Sequence, residues 1–204
     1  MKSRKLMVTV IWLGAGACLS AQDRLTVAVF DYTGVPDAVM SPAVEMARNT
    51  FRVAGIETVW LVCPFSRAKP EGCTLPLPPL GLYVTMNVVP KVPAEQAGHA
   101  GFALTGPDAL QRPRAYAAYT VVEDLAKKMR RPAWLVLGCV MTHEIAHVLG
   151  LKHGEWGVMR ATLSPRDLDD VRQGWAFTAA EDTQLRVGTS RLVGAREVAE
   201  AGRR

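Results

Sequence analysis

Three histidines and a glutamate in HEIAHVLGLKH, residues 143 to 153, have the types and the spacing of a metal centre. His143 and His147 are four residues apart, so on a helix both imidazoles project from one face and can reach one ion. Gly150 is suited to end that helix, because glycine adopts left-handed backbone conformations without strain. The short turn after it can return His153 to the same ion. Three neutral imidazoles would leave one position open on a tetrahedral Zn²⁺, as in catalytic zinc sites.

Glu144 follows the first of these histidines and is not needed as a ligand. A carboxylate at this position can take a proton from a metal-bound water, which is the general-base step of metal-assisted hydrolysis. Three of the chain's four histidines fall within these eleven residues. Unpaired imidazoles in an apolar helix would also cost desolvation energy that a metal offsets. The pattern therefore favours a zinc hydrolase over a helix that carries histidines by chance.

The helix that carries these residues is predicted from Pro132 to Gly150, and its apolar character on most sides indicates that it is buried. Upstream, a strand at 25 to 33, a helix at 41 to 54 and a strand at 56 to 63 form a predicted βαβ unit. Ser41 is the expected cap of that first helix, with Pro42 at its first position. The predicted class is α/β (α+β) with a mixed, mostly parallel sheet. The remaining predicted elements are strands at 80 to 89, 100 to 105 and 115 to 120, a helix from 121, and C-terminal helices opening at Ser164 and at 178 to 181.

HEIAHVLGLKH matches the pattern HExxHxxGxxH, and on these residues the chain resembles the metzincin zinc endopeptidases. That family also has a methionine turn beneath the metal, for which WGVM supplies Met159. The resemblance implies a twisted sheet with one packing helix and an active-site helix. It also implies Zn²⁺ held by His143, His147 and His153, with Glu144 as general base and a peptide bound antiparallel along the strand at 100 to 105.

The residues after the methionine turn are less typical of the family. Only five residues separate His153 from Met159, and no Tyr follows Met159, so an additional phenolic ligand is not expected. The segment 160 to 186 is similar to the tail of small secreted bacterial metzincin-like proteins. We predict that Arg160 and Thr162 form the rim of the pocket for the residue just after the scissile bond.

The 204 residues, 49% of them apolar, are sufficient for one core. Basic residues followed by an uncharged stretch predict a signal peptide over 1 to 21. The rest of the chain is predicted to form a single catalytic domain over 22 to 195 and a loose tail over 196 to 204. An uncleaved anchor and lipid attachment at Cys18 remain alternatives. The predicted location is secreted or periplasmic, with no membrane span after signal cleavage. In that oxidising environment Cys63 and Cys73 are expected to pair as a disulfide.

Composition excludes one class of partner. The signal carries three of the 24 Lys and Arg and none of the 19 Asp and Glu, which leaves about +2 on the mature chain. No basic stripe with interleaved aromatics is present, so a nucleic-acid partner is not expected. The predicted function is an exported, monomeric zinc endopeptidase acting on peptides or proteins. The alternatives are a catalytically idle, zinc-containing peptide-binding or envelope-associated module, and a zinc hydrolase acting on a small molecule.

Overall fold

A computed structural model describes residues 24–65, 73, 82–96, 98–106 and 113–201, with the backbone alone at 82 and 195–200. The predicted signal peptide, with Cys18, lies outside these residues. The described strands are β1 (Leu25–Asp31), β2 (Thr58–Pro64), β3 (Leu82–Val89), β4 (Gly101–Ala103) and β5 (Arg114–Ala118). The described helices are α1 (Asp37–Val53), α2 (Tyr119–Met129), α3 (Ala133–Val148), α4 (Pro165–Arg172) and α5 (Ala179–Ala201).

The strands form one mixed, mostly parallel sheet, as the sequence predicts. Their order is β2-β1-β3-β5-β4. Strands β2, β1, β3 and β5 are parallel neighbours, whereas β4 pairs antiparallel with β5. The βαβ unit places α1 between β1 and β2, and α1 packs against α3 on one face of the sheet. Strand β4 is therefore the edge strand on the side that bears the histidine helix.

Both faces of β1 are buried, because successive side chains point to opposite sides of a strand. Val27 and Val29 belong to the main core, which α1 and α3 complete. Ala28 and Phe30 point to the other face, where they form a second apolar cluster with Cys63 and Cys73. The histidine helix α3 thus packs against both the sheet and α1. Among the described residues, no helix combines the length and the apolar character needed to cross a bilayer.

Helix α1 begins earlier than the sequence predicts. Its N-cap is Pro36 and its first residue is Asp37, so Pro42 lies inside the helix and Ser41 is not the cap. Pro36 has the extended backbone of an N-cap, and its carbonyl accepts the first helical hydrogen bonds, from Val39 and Met40. Asp37 in the first turn suits the positive end of the helix dipole. These local signals outweigh the Ser-Pro pair.

The C-terminal helix continues past the predicted domain boundary. Its capping box is present as expected, because Thr178 and Glu181 exchange side-chain to backbone hydrogen bonds of 2.7 and 3.1 Å. The helix ends at Ala201, whereas a loose tail was predicted from residue 196. The segment AREVAEA, 195 to 201, contains Ala, Glu and Arg, which are strong helix formers and continue the helix without a breaker. Residues 202–204 lie outside the described part of the chain.

A disulfide joins the end of β2 to the chain ahead of β3. Cys63 and Cys73 are bonded, ten residues apart, and both are buried. Cys139, in contrast, is a buried free thiol on α3, whose pKa is raised by desolvation. The bond therefore closes the chain between residues 63 and 73 into a loop, and both cysteines lie in the apolar cluster on the face of the sheet opposite α1 and α3.

Replacing both Cys63 and Cys73 with Ala is expected to lower the free energy of unfolding by about 2 to 3 kcal/mol, because the loop is no longer closed in the unfolded chain. Urea unfolding of wild type and variant measures the difference. The variant should be insensitive to reductant, which serves as the control. Equal stability of the wild type with and without dithiothreitol would contradict the prediction.

Candidate metal centre

Helix α3 brings the first two histidines together. His143 is buried and His147 half-buried, and one helical turn separates them. Their Nε2 atoms lie 3.0 Å apart, and their rings meet edge to face. The helix is surrounded by core on nearly every side, which fixes the positions of both residues on its backbone. The predicted pair therefore supplies two of the three candidate ligands.

The turn after α3 supplies the third histidine. Gly150 has a left-handed backbone (φ 94°), and its N–H donates to the carbonyl of His147 while that of Leu151 donates to Ala146. This is the Schellman arrangement that ends helices at a glycine. It reverses the chain so that the ring of the exposed His153 lies 5.2 and 4.7 Å from those of His143 and His147. One nitrogen of each of the three rings lies within 4.8 Å of the other two.

Hydrogen bonds to main-chain oxygens fix the tautomers of the two helical histidines. Nδ1 of His143 lies 2.6 Å from the carbonyl oxygen of Val158, and Nδ1 of His147 lies 2.7 Å from that of Leu151. A carbonyl can only accept, so each Nδ1 must carry the proton and each Nε2 must present a lone pair. The two lone pairs then face each other across 3.0 Å, an arrangement that a cation bound between them would stabilise. The donor set therefore fits a metal such as Zn²⁺.

Burial keeps these imidazoles neutral, which is the form that binds a metal. Desolvation lowers the pKa of His143 to about 4, against an opposing effect of its hydrogen bond to Val158. Desolvation also lowers the pKa of His147. At neutral pH both side chains are therefore uncharged, and no proton needs to be displaced from Nε2.

The Glu144 side chain lies against the edge strand β4. It is buried, and desolvation raises the pKa of its carboxyl to about 8. A Cβ built on Gly101 of β4 would lie 2.7 Å from Cγ and 2.8 Å from Oε1 of Glu144, and 2.6 Å from the carbonyl oxygen of Tyr116. Glycine is therefore needed at 101 for β4 to pass this close to the carboxylate. No sequence signal marks Gly101, because 43 residues separate it from Glu144.

The methionine turn lies against the histidine helix. Residues Gly157–Met159 form a single 3₁₀ turn, with Met159 fully buried. The carbonyl of Met159 accepts a hydrogen bond of 2.8 Å from the N–H of Gly154, which closes the short connection from His153. The preceding residue, Val158, supplies the oxygen that orients His143. The turn thus supports the ligand set from the main chain, although no sequence signal marks the Val158 carbonyl.

Two residues that follow the methionine turn were predicted to line a substrate pocket. Arg160 and Thr162 are exposed, and Arg160 pairs with the buried Asp167 at 3.3 Å. This ion pair ties the chain after the methionine turn to the start of α4. The position of Arg160 and Thr162 at the rim of a substrate pocket stays a prediction. His99 is exposed and outside the histidine cluster.

Comparisons with known proteins bear on the fold. No family model matches the sequence, and no curated protein does either. The crystal structure of archaemetzincin from Methanopyrus kandleri is similar to this chain with a TM-score of 0.56 and 14% sequence identity. The match covers 84% of this chain and 99% of that one. The chain therefore has an archaemetzincin-like fold.

Proposed function

We propose that this protein is an exported zinc endopeptidase. The observation that carries the proposal is the pair of imidazoles whose Nδ1 protons are committed to main-chain carbonyls, so that two Nε2 lone pairs converge beside His153. The structure to which this chain is similar is that of archaemetzincin, and the motif at 143 to 153 matches the metzincin pattern. The two observations support the same class of zinc peptidase. The signal-like N-terminus and the Cys63–Cys73 disulfide support export.

His143, His147 and His153 would hold the zinc ion in this proposal. When bound, zinc acts as a Lewis acid on a carbonyl and lowers the pKa of water to about 7. Burial favours the neutral carboxyl of Glu144, whereas a cation held by the three histidines would favour its ionised form. In that ionised form Glu144 takes the proton of the attacking water and passes it to the nitrogen of the leaving amine. Its buried position beside Gly101 holds the carboxylate at the edge of the sheet. Met159 does no chemistry and supports the ligand loop from below.

Strand β4 offers an edge for an extended peptide. The carbonyl of Ala100 accepts a hydrogen bond of 2.8 Å from the N–H of Ala118, and the N–H of Leu104 donates one of 2.9 Å to the carbonyl of Arg114. Alternate residues of an antiparallel strand point their peptide groups to opposite sides, so those of Gly101 and Ala103 face away from β5. A peptide added antiparallel to β4 would meet these groups with its scissile bond near Glu144. Arg160 and Thr162 remain the proposed rim on the far side of that bond.

Zinc analysis of the purified protein, combined with cleavage of a diverse peptide library, tests the proposal. We expect about one zinc per chain, cleavage at internal bonds, loss of cleavage with a chelator and recovery on adding zinc. A protein that holds zinc and binds peptides but cleaves none would instead be the idle binding module. A protein that cleaves only small esters or amides would be the small-molecule hydrolase.

Gly101→Ala is expected to lower kcat by about 100-fold while zinc is retained, because the nearest atoms to a methyl group at this position belong to the Glu144 side chain and the Tyr116 main chain. Steady-state kinetics and zinc analysis measure the two effects, and thermal unfolding of the variant shows whether β4 still pairs with β5. A folded variant with the wild-type kcat would show that Gly101 does not position the carboxylate.

A further inference from the structure

A cavity of about 510 Å³ adjoins the histidine cluster on the side of α5. Three separate stretches of chain form its wall: the residues just after β4, the turn that ends α3, and one face of α5. Six residues of this wall are Thr105, His147, Lys152, His153, Gly188 and Arg191. The cavity therefore connects the proposed zinc ligands with the C-terminal helix, which the metal-centre chemistry does not use.

The position of α5 at this cavity depends on one glycine. A Cβ built on Gly188 would overlap the carbonyl oxygen of Leu149, so no other residue allows α5 to cross the end of α3 at this distance. Arg191 follows three residues later, on the same face of the helix. Arg186 anchors the helix elsewhere by donating to the carbonyl of Ala54 at 2.9 Å. Close packing at Gly188 thus brings Arg191 to the wall of the cavity.

The wall of this cavity is positively charged. Lys152 and Arg191 are exposed, and neither forms an ion pair with a residue in the described part of the chain. Among the described residues that line the cavity there is no Asp or Glu. Two unpaired cations in one concave site favour an anionic group of the ligand.

The direction of the edge strand places this cavity relative to the scissile bond. Glu144 lies beside Gly101, at the start of β4, whereas Thr105 of the cavity wall follows its end. A peptide antiparallel to β4 runs from the Thr105 side toward Gly101, so the cavity faces residues that precede the cleaved bond. Thr105 is four residues from Gly101, roughly 13 Å along a strand, so the cavity lies within about four peptide positions of the scissile bond.

We propose that this cavity binds an acidic side chain, Asp or Glu, two to four positions before the scissile bond, with Arg191 and Lys152 as its charged partners. The inference rests on the proposed function and gives it a substrate class, peptides with an acidic residue on the N-terminal side of the cleaved bond. Arg191 can donate two parallel N–H hydrogen bonds to a carboxylate, and Lys152 adds a second positive charge.

A series of peptides in which one Glu is moved along a fixed neutral sequence tests the proposal, with Gln in its place as the matched peptide. We expect kcat/KM to be about tenfold higher for Glu than for Gln at one position before the cleaved bond. In Arg191→Gln the Glu-to-Gln ratio should fall to near one, and Arg191→Lys should keep part of it. Lys128→Gln, at an exposed lysine of α2 outside the cavity, is the control and should leave the ratio unchanged.

Binding of the same peptides separates this proposal from the peptidase itself. Calorimetry with the Glu144→Gln protein, loaded with zinc, should show about tenfold tighter binding of the Glu peptide and loss of that difference when Arg191→Gln is added. If this holds while the wild type cleaves nothing, the cavity proposal stands and the peptidase proposal fails. If Glu and Gln peptides are cleaved and bound equally, or are bound equally without cleavage, the cavity proposal is overturned.

Discussion

Glu144→Gln is expected to lower kcat by about 10²- to 10⁴-fold while zinc stays at about one per chain. An amide cannot accept a proton from water, so the general-base step is lost. The glutamine side chain is nearly isosteric with that of glutamate, and residue 144 does not belong to the set of three ligand nitrogens. Because burial raises the pKa of the Glu144 carboxyl to about 8, a neutral amide suits the same surroundings without a loss of stability. Zinc analysis and steady-state kinetics measure the two effects.

Glu155→Gln is the matched control, since Glu155 is an exposed carboxylate between His153 and Met159. It should keep both zinc and turnover. Cleavage by Glu144→Gln at the wild-type rate would show that Glu144 is not the base. Loss of zinc from this variant would instead show that the carboxylate contributes to the metal site.

His153→Ala is expected to lower zinc affinity by more than about 100-fold and to abolish cleavage. Removing a residue that merely orients a ligand costs about 10- to 100-fold in metal affinity, so the loss of a ligand should cost more. His153 is exposed, and its removal leaves the core intact, so the metal-free variant should unfold within about 0.5 kcal/mol of the wild type. Competition with a chromogenic chelator and urea unfolding provide the two measurements.

His99→Ala provides the comparison, because His99 is the fourth histidine of the chain and is also exposed. It should bind zinc and cleave peptides as the wild type does. An unchanged zinc affinity in His153→Ala would mean that the helical pair alone holds the metal. In that case the turn at Gly150 would have no role in ligation.

The parts of the fold that could be predicted from the sequence are those with local signals. Helix α3 was predicted to within two residues at each end, because Pro132 and Gly150 bound an apolar run and each determines the backbone at its own position. The mixed sheet followed from the order of strands and helices. The predicted start of α1 was wrong, since two proline signals, at 36 and 42, competed and only the three-dimensional structure decides between them.

The parts that could not be predicted depend on contacts between distant residues. The approach of Gly101 to Glu144 and that of Gly188 to Leu149 join residues 43 and 39 positions apart. Neither glycine belongs to a recognisable turn signal. A glycine is needed at these positions because two packed elements cross there at a very short distance. The spacing of residues along the chain contains no information about that distance.

The oxygens that orient His143 and His147 belong to the main chain, at Val158 and Leu151. A mutation at either position changes a side chain and leaves the carbonyl in place, so no single amino-acid replacement can delete these hydrogen bonds directly. During evolution these two positions are therefore constrained by packing alone, since both side chains are buried. The orientation of the imidazoles is inherited with the course of the backbone, and it can persist in descendants whose sequences have diverged almost everywhere outside the histidines.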